Sequence, residues 1–150
     1  CPSRGSGATE GGRPMRAEII NVDGLTMMAK SDTNHWVVMD ATREGQSAAA
    51  ATPMETFLLG FGGCFCMTVK SLLLKKRLDA GKVSMTIEAQ RAPEPPTVFT
   101  KIDAVLEFRG GDLRDSDVEW AVAMAREKYC QVGVMLEKAV PINVTWEILK

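Results

Sequence analysis

The sequence predicts an α+β fold in the order three strands, a long buried helix, two strands, helices and a closing strand. Three observations carry that reading. Residues 16–22, 25–30 and 35–40 are short β-prone runs separated by Asp23-Gly24 and by residues 31–34, as in an antiparallel meander. A helix with a nearly all-apolar stretch at 57–69 then occupies residues 53–79. The remaining strands are grouped and do not alternate with helices one by one, which separates this chain from the regular α/β pattern.

The elements follow in order. Thr52-Pro53-Met54-Glu55 supplies a capping residue, a proline at the first helical position and a glutamate at the third. Asp79-Ala80-Gly81 is the expected stop, and Lys75, Lys76 and Arg77 suit a helix C-terminus. Residues 83–90 alternate as a strand, and Ala92-Pro93-Glu94-Pro95-Pro96 makes a stiff connection. Residues 99–108 alternate again, and Arg109-Gly110-Gly111 turns the chain. Val118, Ala121, Val122, Ala125 and Tyr129 recur at helical spacing within a helix over 115–129, and Cys130 falls just past its end. A short helix over 132–138 and a strand over 141–149 complete the chain. With no internal repeat and no internal boundary, residues 15–150 read as a single domain. Residues 1–14, rich in Gly, Ser and Arg, read as a disordered tail or a cloning remnant, which sets Cys1 aside.

Composition narrows the function classes. The chain has 150 residues, 45% hydrophobic and 25% charged, enough for one sizeable core. A net charge of -1 points to neither a nucleic-acid nor an acidic-membrane partner. The longest apolar stretch, residues 57–69, is interrupted by glycines and falls short of the roughly 20 residues that a membrane span needs. Four cysteines in a chain with a full core fit a reducing, cytoplasmic setting better than a disulfide-stapled scaffold.

Chemistry concentrates at Gly62-Gly63-Cys64-Phe65-Cys66. Each glycine inside a helix costs about 1 kcal/mol relative to alanine, so Gly60, Gly62 and Gly63 call for close approach by another element. Each helical residue turns by about 100°, so Cys66 points away from Cys64 and the two do not readily pair. A disulfide from either would need Cys130, the other core-region cysteine. Three readings stand at this level. The thiols are packing residues, or they are redox groups, or they join His35 in a metal site. The diverging CxC sulfurs oppose the metal site, so none is expected. His35, beside Trp36, reads as a surface or structural residue.

Three separated runs carry a family resemblance. TPMETFLLGFGGC at 52–64, EPPTVFTKI at 94–102 and EKYCQVGVML at 127–136 resemble the central-helix, middle-strand and second-cysteine motifs of the OsmC/Ohr family, in the right order and spacing. The likeness is to the general OsmC-like branch more than to the organic-hydroperoxide-resistance branch. The resemblance implies an intertwined homodimer with two sites at the subunit interface. It implies that Cys64 is the peroxidatic cysteine and Cys130 the resolving one, and that organic hydroperoxides are the substrates. It calls for no bound cofactor, only an external thiol or dithiol reductant such as a lipoylated protein or a small thiol. Phe57, Phe61, Phe65 and Met135 would line an apolar substrate pocket, although the same spacing suits core residues. In the hydroperoxide-resistance branch an arginine from the N-terminal strands activates the thiolate and is held by a glutamate after the motif proline. Met54 occupies that place here. Glu55 reads better as the capping-box residue, and Arg16 and Arg43 are the candidate arginines. That departure opens an alternative: a stress-response or ligand-binding protein of the same fold with little peroxidase turnover.

Overall fold

Three hydrogen-bonded strands open the chain, of which a computed structural model describes residues 14–150. They are β1 (Glu18–Asp23), β2 (Thr26–Lys30) and β3 (Val37–Met39), joined as an antiparallel sheet in the order β1-β2-β3. Gly24 at φ 53° and Asn34 at φ 61° sit in the turns, where a left-handed conformation suits glycine and asparagine. Register places Ile20 opposite Met28 and Met28 opposite Val38, so apolar residues run across the sheet. This first unit ends at Thr56, and a second covers Phe57–Lys150. The tail expected over residues 1–14 lies, up to residue 13, outside the described residues.

Helix α1 runs Pro53–Lys75. Its start is the predicted capping box: the Glu55 amide donates to Thr52 Oγ1 at 3.2 Å, and the Thr52 amide donates to Glu55 Oε2 at 2.8 Å. Its end differs from the expected stop near Asp79. Arg77 adopts φ 59°, while the amides of Arg77 and Leu78 donate to the carbonyls of Leu74 and Leu73. This is a Schellman ending with arginine in the place usually held by glycine. Gly81, expected to stop the helix, serves another purpose. At φ 61° its Cα passes so close to the 109–111 turn that a Cβ would lie 2.3 Å from the Arg109 carbonyl oxygen.

The second unit contains β4 (Lys82–Arg91), β5 (Phe99–Arg109) and β6 (Ile142–Leu149), ordered β4-β5-β6. β4 and β5 are antiparallel, with Ile87 opposite Ala104; β5 and β6 are parallel, with Ile102 opposite Ile142. A parallel pair needs a long crossover, here supplied by α2 (Asp115–Met124) and α3 (Gln131–Glu137). One face of β5 presents Ile102, Ala104, Leu106 and Phe108 to the core, as strand alternation demands. The buried face of α1 contributes Phe61, Phe65, Val69, Leu72 and Leu73. Gly62 explains one of the three helix glycines: a Cβ there would come 3.0 Å from Ile87 Cδ1, so α1 lies close on β4. Gly60 and Gly63 meet nothing within 4 Å in this chain.

Two further expectations change. The helix over 115–129 is α-helical only to Met124 and then passes into a π-helical turn, Ala125–Tyr129. And α1, at 23 residues with a mean hydropathy of 1.8 over its most apolar window, is long and apolar enough to cross a membrane by length and composition, which the 57–69 run alone did not suggest. A third of that window is nonetheless buried within the chain itself.

Candidate thiol site

Cys130 sits at the junction of the π-helical turn and α3, with every local polar group engaged. Its amide donates to the Ala125 carbonyl at 2.9 Å, closing the π turn, and its carbonyl accepts from the Val134 amide at 2.8 Å. Its Sγ accepts from the Gly133 amide at 3.3 Å and so caps the N-terminus of α3. The residue is fully buried at 0% exposure. Gly133 makes this seat possible, because a Cβ there would stand 3.1 Å from Cys130 Sγ and 3.4 Å from the Phe61 ring.

Cys64, half-buried on α1, is the side chain that meets Cys130. Both thiols are free. Burial first, and hydrogen bonding to Cys64 second, push the Cys130 thiol up from 9.0 to about 12 against the opposing pull of the Gly133 amide. Cys130 is therefore a neutral thiol at physiological pH. Cys66 stands apart, as the helix geometry requires; it is half-buried, and burial raises its thiol too. Thr68, one turn after Cys64, donates its hydroxyl to the Cys64 carbonyl at 2.7 Å.

The other predicted residues separate. Phe61 and Phe65 are core residues, each 1% exposed and in edge-to-face contact. Phe57 and Met135 are exposed, and Phe57 stacks on Phe99 with centroids 6.4 Å apart. A cleft of about 690 Å³ between α2, α3 and β6 is lined by Val122, Arg126, Val134, Glu137 and Trp146 among others, and includes none of the four residues expected to line a pocket. A smaller one of about 300 Å³ lies along α1 beside Met67, Thr68 and Ser71 and reaches Tyr129, the residue before Cys130.

Within the first unit, Glu55 is occupied by the capping box. Arg16 pairs with Glu18 at 3.2 Å on the surface. Arg43 lies over Gly24, where a Cβ would meet its Nη2 at 2.7 Å, and reaches to 3.8 Å from Asp40 Oδ1. The Ala49 and Ala41 amides hold the Asp40 carboxyl below its ordinary range. His35 shares only a 3.1 Å contact with Thr33, and no group of three or more metal-ligating side chains gathers among the described residues. Sequence reasoning missed Arg126, Glu137 and Gly133. Arg126 and Glu137 pair across two helical segments, a spacing that no single periodicity reveals.

The comparisons with known proteins agree on the fold. Residues 44–145 match the OsmC-like protein family. The Escherichia coli protein YhfA is 37% identical over 135 residues, spanning 90% of this chain and 98% of its own. Among solved structures, an OsmC-like protein from Mycoplasma pneumoniae superposes with a TM-score of 0.80 at 16% identity, covering 93% of this chain and 99% of that one. An organic hydroperoxide resistance protein OsmC from Legionella pneumophila superposes with a TM-score of 0.68 at 19% identity, covering 92% and 99%.

Proposed function

The chain belongs to the OsmC-like protein family, and on that premise we propose that it is a thiol-dependent peroxidase for organic hydroperoxides. One observation carries the reading: Cys64 and Cys130, far apart in sequence, meet as free thiols in unequal environments. Nucleophilic attack needs a thiolate. Cys130, buried and pushed up to about 12, is unsuited to it, which leaves Cys64 as the attacking group. Cys64 sulfur attacks one peroxide oxygen, the O–O bond breaks, an alcohol leaves, and Cys64 becomes a sulfenic acid. Cys130 then displaces hydroxide from that sulfur, forming the disulfide and water. An external dithiol, a lipoylated protein or small thiols, restores both cysteines by exchange. No bound cofactor enters this scheme. The family resemblance calls for an activating cation, for which Arg16 and Arg43 are the sequence candidates; within the first unit Arg16 pairs with Glu18 and Arg43 with Asp40. The free thiols suit a cytoplasmic, reducing setting.

The family resemblance also calls for a homodimer, and apolar residues left exposed on α1 and β1 support it. A second reading, ligand binding with little turnover, draws on one fact: Glu55 is committed to the helix cap and Met54 holds the place of the family's arginine-holding glutamate.

The test is to treat reduced protein with one equivalent of cumene hydroperoxide at neutral pH, count thiols and map disulfides by mass spectrometry. Rapid loss of two thiols with a Cys64–Cys130 bridge, and a sulfenic acid trapped on Cys64 in Cys130→Ser, is the expected result. Survival of all thiols in the intact protein removes the peroxidase reading in favour of ligand binding.

A further inference from the structure

Arg126 and Glu137 flank Cys130 in sequence and pair with each other. Arg126 belongs to the π-helical turn, four residues before Cys130; Glu137 is the last residue of α3, seven after it. Arg126 Nε and Nη2 both donate to Glu137 Oε1, at 3.0 and 2.7 Å, and Nη2 also donates to the Ile142 carbonyl at 2.9 Å. One guanidinium thus ties the π turn to the end of α3 and to the start of β6. The pair is partly shielded from water, with side chains 37% and 29% exposed, so it is more than a solvated surface contact. A seven-residue helix such as α3 is too short to persist unaided, and π turns hold one residue more than a regular helix would and concentrate at functional sites. Both elements that carry the Cys130 backbone therefore depend on outside anchors, and this ion pair is an anchor common to both.

We propose that the Arg126–Glu137 pair is a clamp that fixes the Cys130 backbone opposite Cys64, a positioning device for the disulfide-forming step. The inference deepens the peroxidase reading and rests on it. In that step the Cys130 sulfur leaves the Gly133 amide and bonds to Cys64 sulfur. The S–O bond of the sulfenic acid breaks, and the departing hydroxide and the Cys130 proton leave as water. A backbone held on three sides limits the required movement to the side chain and keeps the effective concentration of one sulfur at the other high. Neither residue touches the reacting sulfurs through its hydrogen bonds.

The readout is the equilibrium between the Cys64–Cys130 disulfide and a dithiothreitol buffer, measured on the full chain with Cys66→Ser as the common background. Arg126→Gln is expected to lower the disulfide's equilibrium constant about tenfold, a shift of roughly 30 mV for a two-electron couple. Arg114→Gln is the control, because Arg114 makes a similar two-armed pair with Asp117 at the start of α2; it should leave the potential at the background value. If Arg126→Gln does not fold, Arg126→Lys decides, since it keeps the charge but loses the second of the two guanidinium bonds to Glu137; an intermediate shift is expected. A potential unchanged from background, or the same shift in Arg114→Gln, overturns the clamp, as does failure of the background protein to form the disulfide in this buffer. If the disulfide forms in the buffer but not with cumene hydroperoxide, the peroxidase reading fails while the variant potentials still decide the clamp.

Discussion

Cys130 is caught between two demands: its sulfur caps a helix, which favours an anion, and it is wholly buried, which disfavours one. Burial wins, and the thiol stays protonated up to about 12. A folded-state value above the unfolded one means that the folded chain holds its proton while the unfolded chain releases it. Between 9.0 and about 12 this residue therefore makes stability fall with rising pH. Other groups titrate there too, so the measurement is the stability difference between wild type and Cys130→Ala. It should be constant below pH 9 and shrink above it by up to ~1.4 kcal/mol per unit; a flat difference contradicts the burial argument. Gly133 is the second residue-scale test. Alanine would gain about 1 kcal/mol of helix propensity, but its Cβ would stand 3.1 Å from the buried Cys130 sulfur and 3.4 Å from the buried Phe61 ring, and the sulfur would have to give up its bond to the Gly133 amide to make room. Overpacking of that kind costs ~1–3 kcal/mol, so Gly133→Ala should lower the urea midpoint. The two thiols were legible as a pair through motif resemblance. What could not be read was the inequality between them, because burial depth and a sulfur cap are properties of packing.

At the scale of elements, α1 was legible at its start and not at its end. Thr52, Pro53 and Glu55 act locally, within one turn, and local chemistry is what a sequence displays. The end is set by Leu73 and Leu78 closing a Schellman turn over Arg77, so the glycine at position 81 was free to serve a tight crossing with the 109–111 turn. The π turn before Cys130 was invisible for a related reason: its extra residue leaves the apolar spacing of 118–125 intact. The cap gives a clean test of what Glu55 does. Glutamine also serves at the third position of a capping box. Glu55→Gln should therefore stay within about 0.5 kcal/mol of wild type and react with peroxide at the same rate, whereas Thr52→Ala should lose ~1 kcal/mol. Chemical denaturation and stopped-flow peroxide oxidation check both. A large rate loss in Glu55→Gln with stability intact would instead make its charge part of the thiol chemistry.

For the whole molecule, the informative feature is apolar surface that the chain does not cover. Gly60, Gly63, Met67 and Leu74 recur on α1 at intervals of three, four and seven, one face of the helix, and Met67 is 73% and Leu74 56% exposed. The two glycines on that face meet nothing within 4 Å, although each weakens the helix. Small residues flanked by large exposed apolar ones suit close approach by a second helix. Every residue of β1 is exposed as well, including Ile19, Ile20 and Val22. A lone chain would keep all of this in water, whereas a two-fold pair would bury the same face from both copies. Wild type should therefore sediment as a dimer at micromolar concentration. Met67→Glu would set two carboxylates near each other in a desolvated contact and should raise the dimer dissociation constant at least tenfold, roughly 1.4 kcal/mol. Sedimentation velocity over a concentration series checks this. A wild-type monomer at all concentrations would refute the pairing, and a Met67→Glu dimer as tight as wild type would move the contact to another face. The peroxide assay on the same variant then tells whether Cys64 reacts as well in an isolated subunit, which decides whether the site is complete within one chain.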